Sequence, residues 1–365
     1  MKKHLFLLAV VIAATALLAS AQKLPKPTQL SNSLTEAQQK LMNDGIKLHD
    51  AKQYDGAIAI YDKILAENPD ATTVIYEKSL SFYTKGDREK AMEVAYVGAK
   101  YKSDELALFY GMMANCLDDV GKGEEAIKIY RQAEEMLKSD VGMQHHLSSV
   151  YYNLGVTYVR QKNYPAAKTE LKRSIETNYS YASPHYLLSV VYNGTKYKVP
   201  AFAAAARFIA LEFNTQRSSN AAALVRSVLR PAAKDPATGN INIFVNMDEP
   251  KDEGDYGMYG LFLGTMGIPK DDKDKKKTEA ELFVDSVDTL IGLLAEDKKL
   301  TKTFVGKNYV PFLAEMKKNG YVKPFGYMVL YISGSQEAKT WVDSNDAKLG
   351  EFMKWAKAYQ LPAKP

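Results

Sequence analysis

The chain has 365 residues, 46% hydrophobic and 25% charged, an ordinary balance for a folded soluble protein with room for two domains or a solenoid with an appended domain. A formal charge of +5, dispersed along the chain, argues against a nucleic-acid partner, and a single cysteine, Cys116, excludes an internal disulfide. Tyrosine dominates the aromatic residues, with 24 Tyr against 13 Phe and 2 Trp, which suits half-buried positions with one polar edge.

Residues 1–21 read as a secretory signal. Lys2 and Lys3 make a basic start, Leu5 to Leu18 is an apolar run, and Ala19-Ser20-Ala21 is a small-residue cleavage site before Gln22. The competing reading, an uncleaved anchor, needs about 20 apolar residues and finds fewer. Cleavage implies export to the periplasm or the exterior, with no stable membrane span afterwards. It also removes two lysines and lowers the formal charge from +5 to +3. Residues 22–35, opening with QKLPKPT, read as a spacer. Thr35 and Gln38 then form a capping-box pair that starts the first helix.

From there to residue 215 the chain repeats itself. A small residue, often near a Tyr, returns at Ala57, Ala91, Ala126, Ala167 and Ala201, at intervals of 34, 35, 41 and 34 residues. Self-similarity at this period predicts stacked helical hairpins that bury a continuous core. The first unit is the clearest, with Leu41, Gly45 and Leu48 on one helix and Tyr54, Ala57, Tyr61 and Ile64 on the next. Asn68-Pro69 closes it. In the second unit Ser79 stands where the first has Gly45. The third carries Tyr110, Ala114, Gly121, Ala126 and Tyr130. The fourth carries Tyr151, Leu154, Gly155, Tyr158, Tyr164, Ala167 and Leu171. The fifth, with His185, Leu188, Ser189 and Tyr192, is the weakest because Pro200 sits beside its Ala. The 41-residue interval holds seven extra residues around Ser139 to His145, expected as a lengthened helix or a loop near Gly142.

These small residues and tyrosines resemble the tetratricopeptide repeat over about half the chain. The resemblance implies an all-α, right-handed solenoid of helical hairpins that binds a protein or peptide. In that family the first helix of each hairpin lines a concave surface. The matching positions here are Met42, Tyr76, Gly111, Tyr152 and Tyr186 at the fifth place of each unit, and Ile46, Leu80, Asn115, Val156 and Val190 at the ninth. Asp50, Thr84, Asp119 and Arg160 stand at the thirteenth, with Tyr83 beside them. Some family members clamp a terminal carboxylate with Lys and Asn at such places, and this chain has almost none. Its Tyr and aliphatic lining suits apolar or aromatic side chains instead. The same tyrosines could equally pack on neighbouring repeats or on the C-terminal part of the chain.

Residues 216–234 read as a capping helix stopped by Pro231, followed by a turn cluster at Asp235 to Gly239. Ile241, Ile243 and Val245 alternate with Asn242, Phe244 and Asn246 as a short strand or hairpin. The rest of residues 235–365 reads as a mostly helical domain. Thr278 and Glu281 open a clear helix with a capping box, and further helices are expected around Tyr309 to Lys318, Pro324 to Ile332 and Asp346 to Tyr359, with Pro311 and Pro324 in first turns. Trp341, Trp355 and Phe352 should anchor its end. The stretches TEAELFVDSVDTL and YVPFLAEM are similar to C-terminal parts of secreted bacterial repeat proteins.

No candidate for chemistry outweighs its structural alternative. His145 and His146 are adjacent and should point apart on a helix, so they make a poor metal site. His49 and His185 are isolated, and Cys116 suits a small apolar filler. Asp248, Glu249, Asp252, Glu253 and Asp255 lack the alternation of a calcium loop and read as solvated. The mixed-charge run from Asp271 to Lys277 reads as mobile. The glycines of EGDYGMYGLFLGTMG lack a phosphate-loop context and either let a helix pack closely or loosen a loop. No nucleophile motif is present, and no cofactor or metal is implied. The sequence therefore predicts a non-enzymatic scaffold that binds a protein or peptide in a bacterial cell envelope. Two alternatives remain: an enzyme with a site in the C-terminal domain, and a structural subunit whose groove is filled by its own C-terminal part.

Overall fold

The computed structural model describes residues 24–230, 250–265, 268 and 272–361. The expected signal, turn cluster and alternating strand at Ile241 to Val245 lie outside the described residues. Within them are eighteen α-helices and one pair of two-residue strands. The chain falls into two compact units that divide between Glu170 and Leu171.

The first unit opens with an extended segment. Leu24 is buried, its N–H donates to Gln132 Oε1 at 3.0 Å, and Thr28 N–H and Gln29 N–H both reach the Lys100 carbonyl. Strand β1 (Gln29–Leu30) pairs in parallel with β2 (Tyr101–Lys102). The expected spacer is thus partly docked, because Pro25 and Pro27 hold it extended and Leu24 has a core to enter.

Helical hairpins follow: α1 (Glu36–Asp50) with α2 (Tyr54–Glu67), α3 (Thr72–Lys85) with α4 (Arg88–Gly98), and α5 (Leu106–Asp119) with α6 (Gly123–Ser139). Helix α7 (Leu147–Arg160) begins the fourth, and α8 (Tyr164–Thr177) runs across the division between the units. The Thr35/Gln38 capping box is formed. The recurring alanines Ala57, Ala91, Ala126, Ala167 and Ala201 are all completely buried. Each lies where two helices approach closely, so a larger side chain would overpack the crossing. Gly45 shows the same constraint, since a Cβ there would stand 2.6 Å from the Tyr61 ring. Ser79 replaces that Gly without loss, because its buried hydroxyl donates to the Ala91 carbonyl at 2.8 Å. The seven-residue insertion is divided between a seventeen-residue α6 and a 3-10 helix at Val141–His146.

Every hairpin turn also has one left-handed residue: Lys52, Gly86, Gly121, Lys162 and Lys196, spaced like the alanines. Lys carries a steric penalty there that Gly escapes. Lys52→Gly, Lys162→Gly and Lys196→Gly should each stabilise the protein by about 1 kcal/mol, while Gly86→Ala should destabilise it by a similar amount. Urea denaturation of the four variants measures this, and a fall in stability for the Lys→Gly set would refute the account.

The second unit contains α9 (Ala182–Gly194) and α10 (Lys198–Leu211), which pair, and then α11 (Gln216–Val228). Pro200 does not damage this hairpin. It occupies the first turn of α10, where its missing N–H has no partner to lose. Helix α10 is buried from Val199 to Ala210, covered by α9, α11 and two helices from the end of the chain. The C-terminal helices are α12 (Gly257–Thr265), α13 (Glu279–Glu296), α14 (Phe304–Asn308), α15 (Val310–Lys318), α16 (Val322–Ile332), α17 (Gln336–Ser344) and α18 (Asp346–Ala358). Helices α15 and α18 are the two that cover α10. Helix α12 forms in the Gly-rich stretch because Tyr256, Tyr259 and Leu263 share one buried face. Trp341 stacks on Tyr327 with ring centroids 4.5 Å apart, and Trp355 on Phe312 at 5.2 Å.

Candidate functional site

The first helices of successive hairpins in the first unit, α1, α3, α5 and α7, pack side by side. Their fifth, ninth and thirteenth places therefore form rows, and the structure divides the expected contact residues into three kinds. Met42 is buried in the core of its own hairpin with Ala57, Tyr61 and Ile64, so it acts in packing and not as a contact. Ile46, Tyr76, Leu80, Asn115, Tyr152 and Val156 are half-buried. Tyr76 sits edge-on to Phe109 with centroids 6.1 Å apart, and Leu80 packs on the same core. Gly111 leaves no hole at its place, because Asn153 of the next first helix lies 3.1 Å from where its Cβ would be.

The third kind is polar and anchored. Tyr83 Oη donates to Asp119 Oδ2 at 2.7 Å, and Arg88 Nε donates to the same oxygen at 2.9 Å. The Arg88 guanidinium also lies 4.0 Å from the centre of the Tyr83 ring. Arg160 Nη1 donates to Asp118 Oδ2 at 2.9 Å, and the Asp118 side chain is only 7% exposed. Burial, with Asp119 beside it, pushes the Tyr83 hydroxyl up to about 12, so it stays a neutral donor. The C-terminal ends of α3, α5 and α7 thus carry a fixed polar edge beside an aliphatic and aromatic strip. Arg88 and Asp118 escaped the sequence reading because neither sits on the rows the family pattern picks out.

Tyr186 belongs to the second unit. Its ring packs on Phe208 with centroids 5.0 Å apart, and its hydroxyl accepts from Asn220 Nδ2 at 3.2 Å. It remains half-exposed, and Val190, one turn on, is 43% exposed. Within this unit the C-terminal residues reach both helices of the hairpin, with Tyr309 on His185 and Glu253 on Tyr192 of α9. Arg207 on α10 donates to the Ala356 carbonyl at 2.6 Å, and Lys172 on α8 reaches Glu253 Oε1 at 2.6 Å.

Glu253 corrects the expectation of a solvated acidic loop. It is 6% exposed and also accepts from Tyr192 Oη at 3.1 Å, while Asp252 accepts from Tyr197 Oη. A carboxylate is buried only with such partners, and for Glu253 the repeat residues Tyr192 and Lys172 supply them. Asp248 and Glu249 lie outside the described residues. Part of the mixed-charge run is likewise fixed, with Lys277 bridging Asp274 at 2.8 Å and Asp285 at 2.6 Å.

The histidines behave as structural groups. His145 and His146 do not point apart: the 3-10 backbone brings their ring centroids to 3.9 Å. Burial, and then the neighbouring His145, lowers His146 to about 4. His185 is completely buried. Its Nε2 lies 3.0 Å from the Tyr179 carbonyl, which can only accept, so the proton sits on Nε2 and Tyr309 Oη donates to Nδ1. Burial, and then the charge of Arg207, pulls His185 down to about 3. Cys116 is buried, its thiol pushed up to about 12 by desolvation.

His185 carries a pH prediction. Its folded-state value lies below the unfolded value near 6.5, so its contribution is complete above pH 6.5 and is lost as pH falls toward 3. Stability should decline by about 2–3 kcal/mol between pH 6.5 and 4.5 from this group, before the carboxylates protonate. Urea unfolding across that range should show a flatter pH slope for His185→Gln, and an unchanged slope would contradict the assignment.

Paired helices closed by a left-handed turn, with a small residue at each crossing and first helices aligned in a row, define a helical repeat solenoid. A tetratricopeptide repeat family model matches residues 104–178, so the chain carries tetratricopeptide repeats over that stretch. Similar solved structures include a thermophilic tetratricopeptide-repeat protein of Thermus thermophilus, 16% identical, with a TM-score of 0.41 over 52% of this chain and 98% of that one. The pilF protein of Pseudomonas aeruginosa is 19% identical, with a TM-score of 0.40 over 53% of this chain and 84% of its own. The C-terminal part of a repeat-containing protein of Cytophaga hutchinsonii is 11% identical, with a TM-score of 0.38 over 82% and 98%. No curated protein matches the chain. Among the described residues no helix is long and apolar enough to cross a membrane.

Proposed function

We propose that this chain is an exported, non-enzymatic scaffold of a bacterial cell envelope that binds a protein or peptide through its first helices. The contact residues are Ile46, Tyr76, Leu80, Tyr83, Asn115, Tyr152, Val156 and Arg160 in the first unit and Tyr186 in the second. The observation that carries this reading is the exposure left on those helices. Tyr76 and Tyr152 are half-buried on those helices, the Tyr76 ring set edge-on to Phe109, while Tyr83 and Arg160 are fixed by Asp119 and Asp118. Rigid aromatic edges of this kind bind with little loss of side-chain freedom. The self-filled alternative is weaker in the second unit because Val190 on α9 stays exposed, although Tyr309 and Glu253 reach His185 and Tyr192 of the same helix.

The test is capture of partners from envelope extract with the full chain and with a Tyr76→Ala/Tyr152→Ala/Tyr186→Ala variant. The variant should lose the specifically retained proteins while melting cooperatively, and an unchanged captured set sinks the proposal. N-terminal sequencing of the exported protein tests the location, with Gln22 expected as its first residue and Met1 as the contrary result.

A further inference from the structure

The second unit holds a cleft that partner binding by the repeats does not use. It encloses about 680 Å³ between the C-terminal end of α11, the first turns of α13 and the junction of α16 with α17. Leu229, Leu282, Phe283 and Leu330 give it apolar walls. Arg226 and Arg230, four residues apart, bring two guanidinium groups to its edge, and neither has a hydrogen bond or ion pair among the described residues.

The other polar groups of the lining are largely committed. Ser286 donates to the Leu282 carbonyl at 2.8 Å, and Ser333 to the Val329 carbonyl at 2.9 Å. Glu337 accepts from Thr278 Oγ1 at 2.7 Å. The uncommitted charges are therefore the two arginines and Glu279, which is exposed at the start of α13. An Arg fork fits a carboxylate in two parallel hydrogen bonds. Glu279 and Glu337 on the same rim repel a multiply charged anion such as a phosphate monoester, and a single negative charge meets the least opposition. The size suits a small ligand, and a lining about evenly polar and apolar takes a charged head and an apolar tail.

We propose that this cleft binds a small monocarboxylate with an apolar tail, its carboxylate on Arg226 and Arg230 and its tail along Leu229, Leu282, Phe283 and Leu330. Titration calorimetry on the full chain tests this with decanoate, decan-1-ol, acetate and decylamine. Decanoate should bind saturably at one site, at least about tenfold tighter than any of the other three. The Arg226→Gln/Arg230→Gln variant should lose about tenfold or more of that affinity while keeping its melting temperature. Glu279→Gln should tighten decanoate, because it removes the like charge. The proposal is overturned if decanoate does not saturate, if decan-1-ol or decylamine binds as tightly, or if the arginine variant is unaffected. Failure of Glu279→Gln to tighten binding also counts against it and does not depend on the arginine variant folding. None of these outcomes bears on partner capture by the first helices.

Discussion

Arg207→Ala is expected to destabilise the second unit by about 3–5 kcal/mol, among the largest effects available to a single substitution in this chain. Arg207 is completely buried on α10, and among the described residues no carboxylate neutralises it. Its charge is held by the Ala356 and Tyr179 carbonyls and by ring faces, with the guanidinium 4.4 Å from the Tyr179 centroid and 4.8 Å from that of Phe312. Its Nε has no partner among the described residues. Burial correspondingly lowers its affinity for the proton, although a guanidinium remains charged. Removal leaves a cavity and strips a donor from the end of α18. Arg207→Met should cost much less, because it keeps most of the volume and ends the burial of a charge. Urea unfolding followed by Trp355 fluorescence distinguishes the two, since Trp355 stacks on Phe312. Equal losses for Ala and Met would mean that the charge, and not the packing, holds α18 in place.

Gly306→Ala is expected to cost about 3 kcal/mol or more. A Cβ at Gly306 would lie 1.7 Å from the Leu300 carbonyl oxygen, which is backbone and cannot rotate away. To relieve the clash, α14 must separate from the 3-10 helix at Lys298–Lys302. That shift moves Tyr309, whose hydroxyl holds His185. The variant should therefore melt earlier and also raise the His185 titration midpoint, read from its ring proton shift by NMR. Gly350→Ala is the contrasting case. Nothing lies within 4 Å of its would-be Cβ, and a glycine inside a helix is unfavourable, so a gain of about 0.5–1 kcal/mol is expected. A similar loss at both positions would mean that close packing is not what requires Gly306.

The repeat was legible because its constraint is local and recurs. Ala57, Ala91, Ala126, Ala167 and Ala201 sit at crossings where only a small residue fits, and each is fully buried. The capping boxes at Thr35 and Thr278 were legible for the same reason, since donor and acceptor lie within one turn. The left-handed turn residues were only half legible. Gly86 and Gly121 announce themselves, whereas Lys52, Lys162 and Lys196 take the same conformation under compulsion from the hairpin. On the candidate face, register along a helix located Tyr76, Leu80 and Tyr152. It did not reveal that Met42 turns inward or that Asn153 occupies the place beside Gly111. Those outcomes depend on how neighbouring helices rotate, which no single helix encodes.

The sequence by itself determined the period, the capped helix starts at Thr35 and Thr278 and the small residues at the crossings, because each follows from contacts between residues close along the chain. Only the tertiary structure decided what the C-terminal region does with the repeat. Glu253 sits between Lys172 and Tyr192, and Arg207 between Tyr179, Phe312 and Ala356, across separations of 28 to 149 residues. In the sequence these are an acidic cluster and one arginine in an alanine-rich helix. Burial turns them into a fixed ion pair and a caged cation, because a charge withdrawn from water must find its partners wherever the fold has placed them.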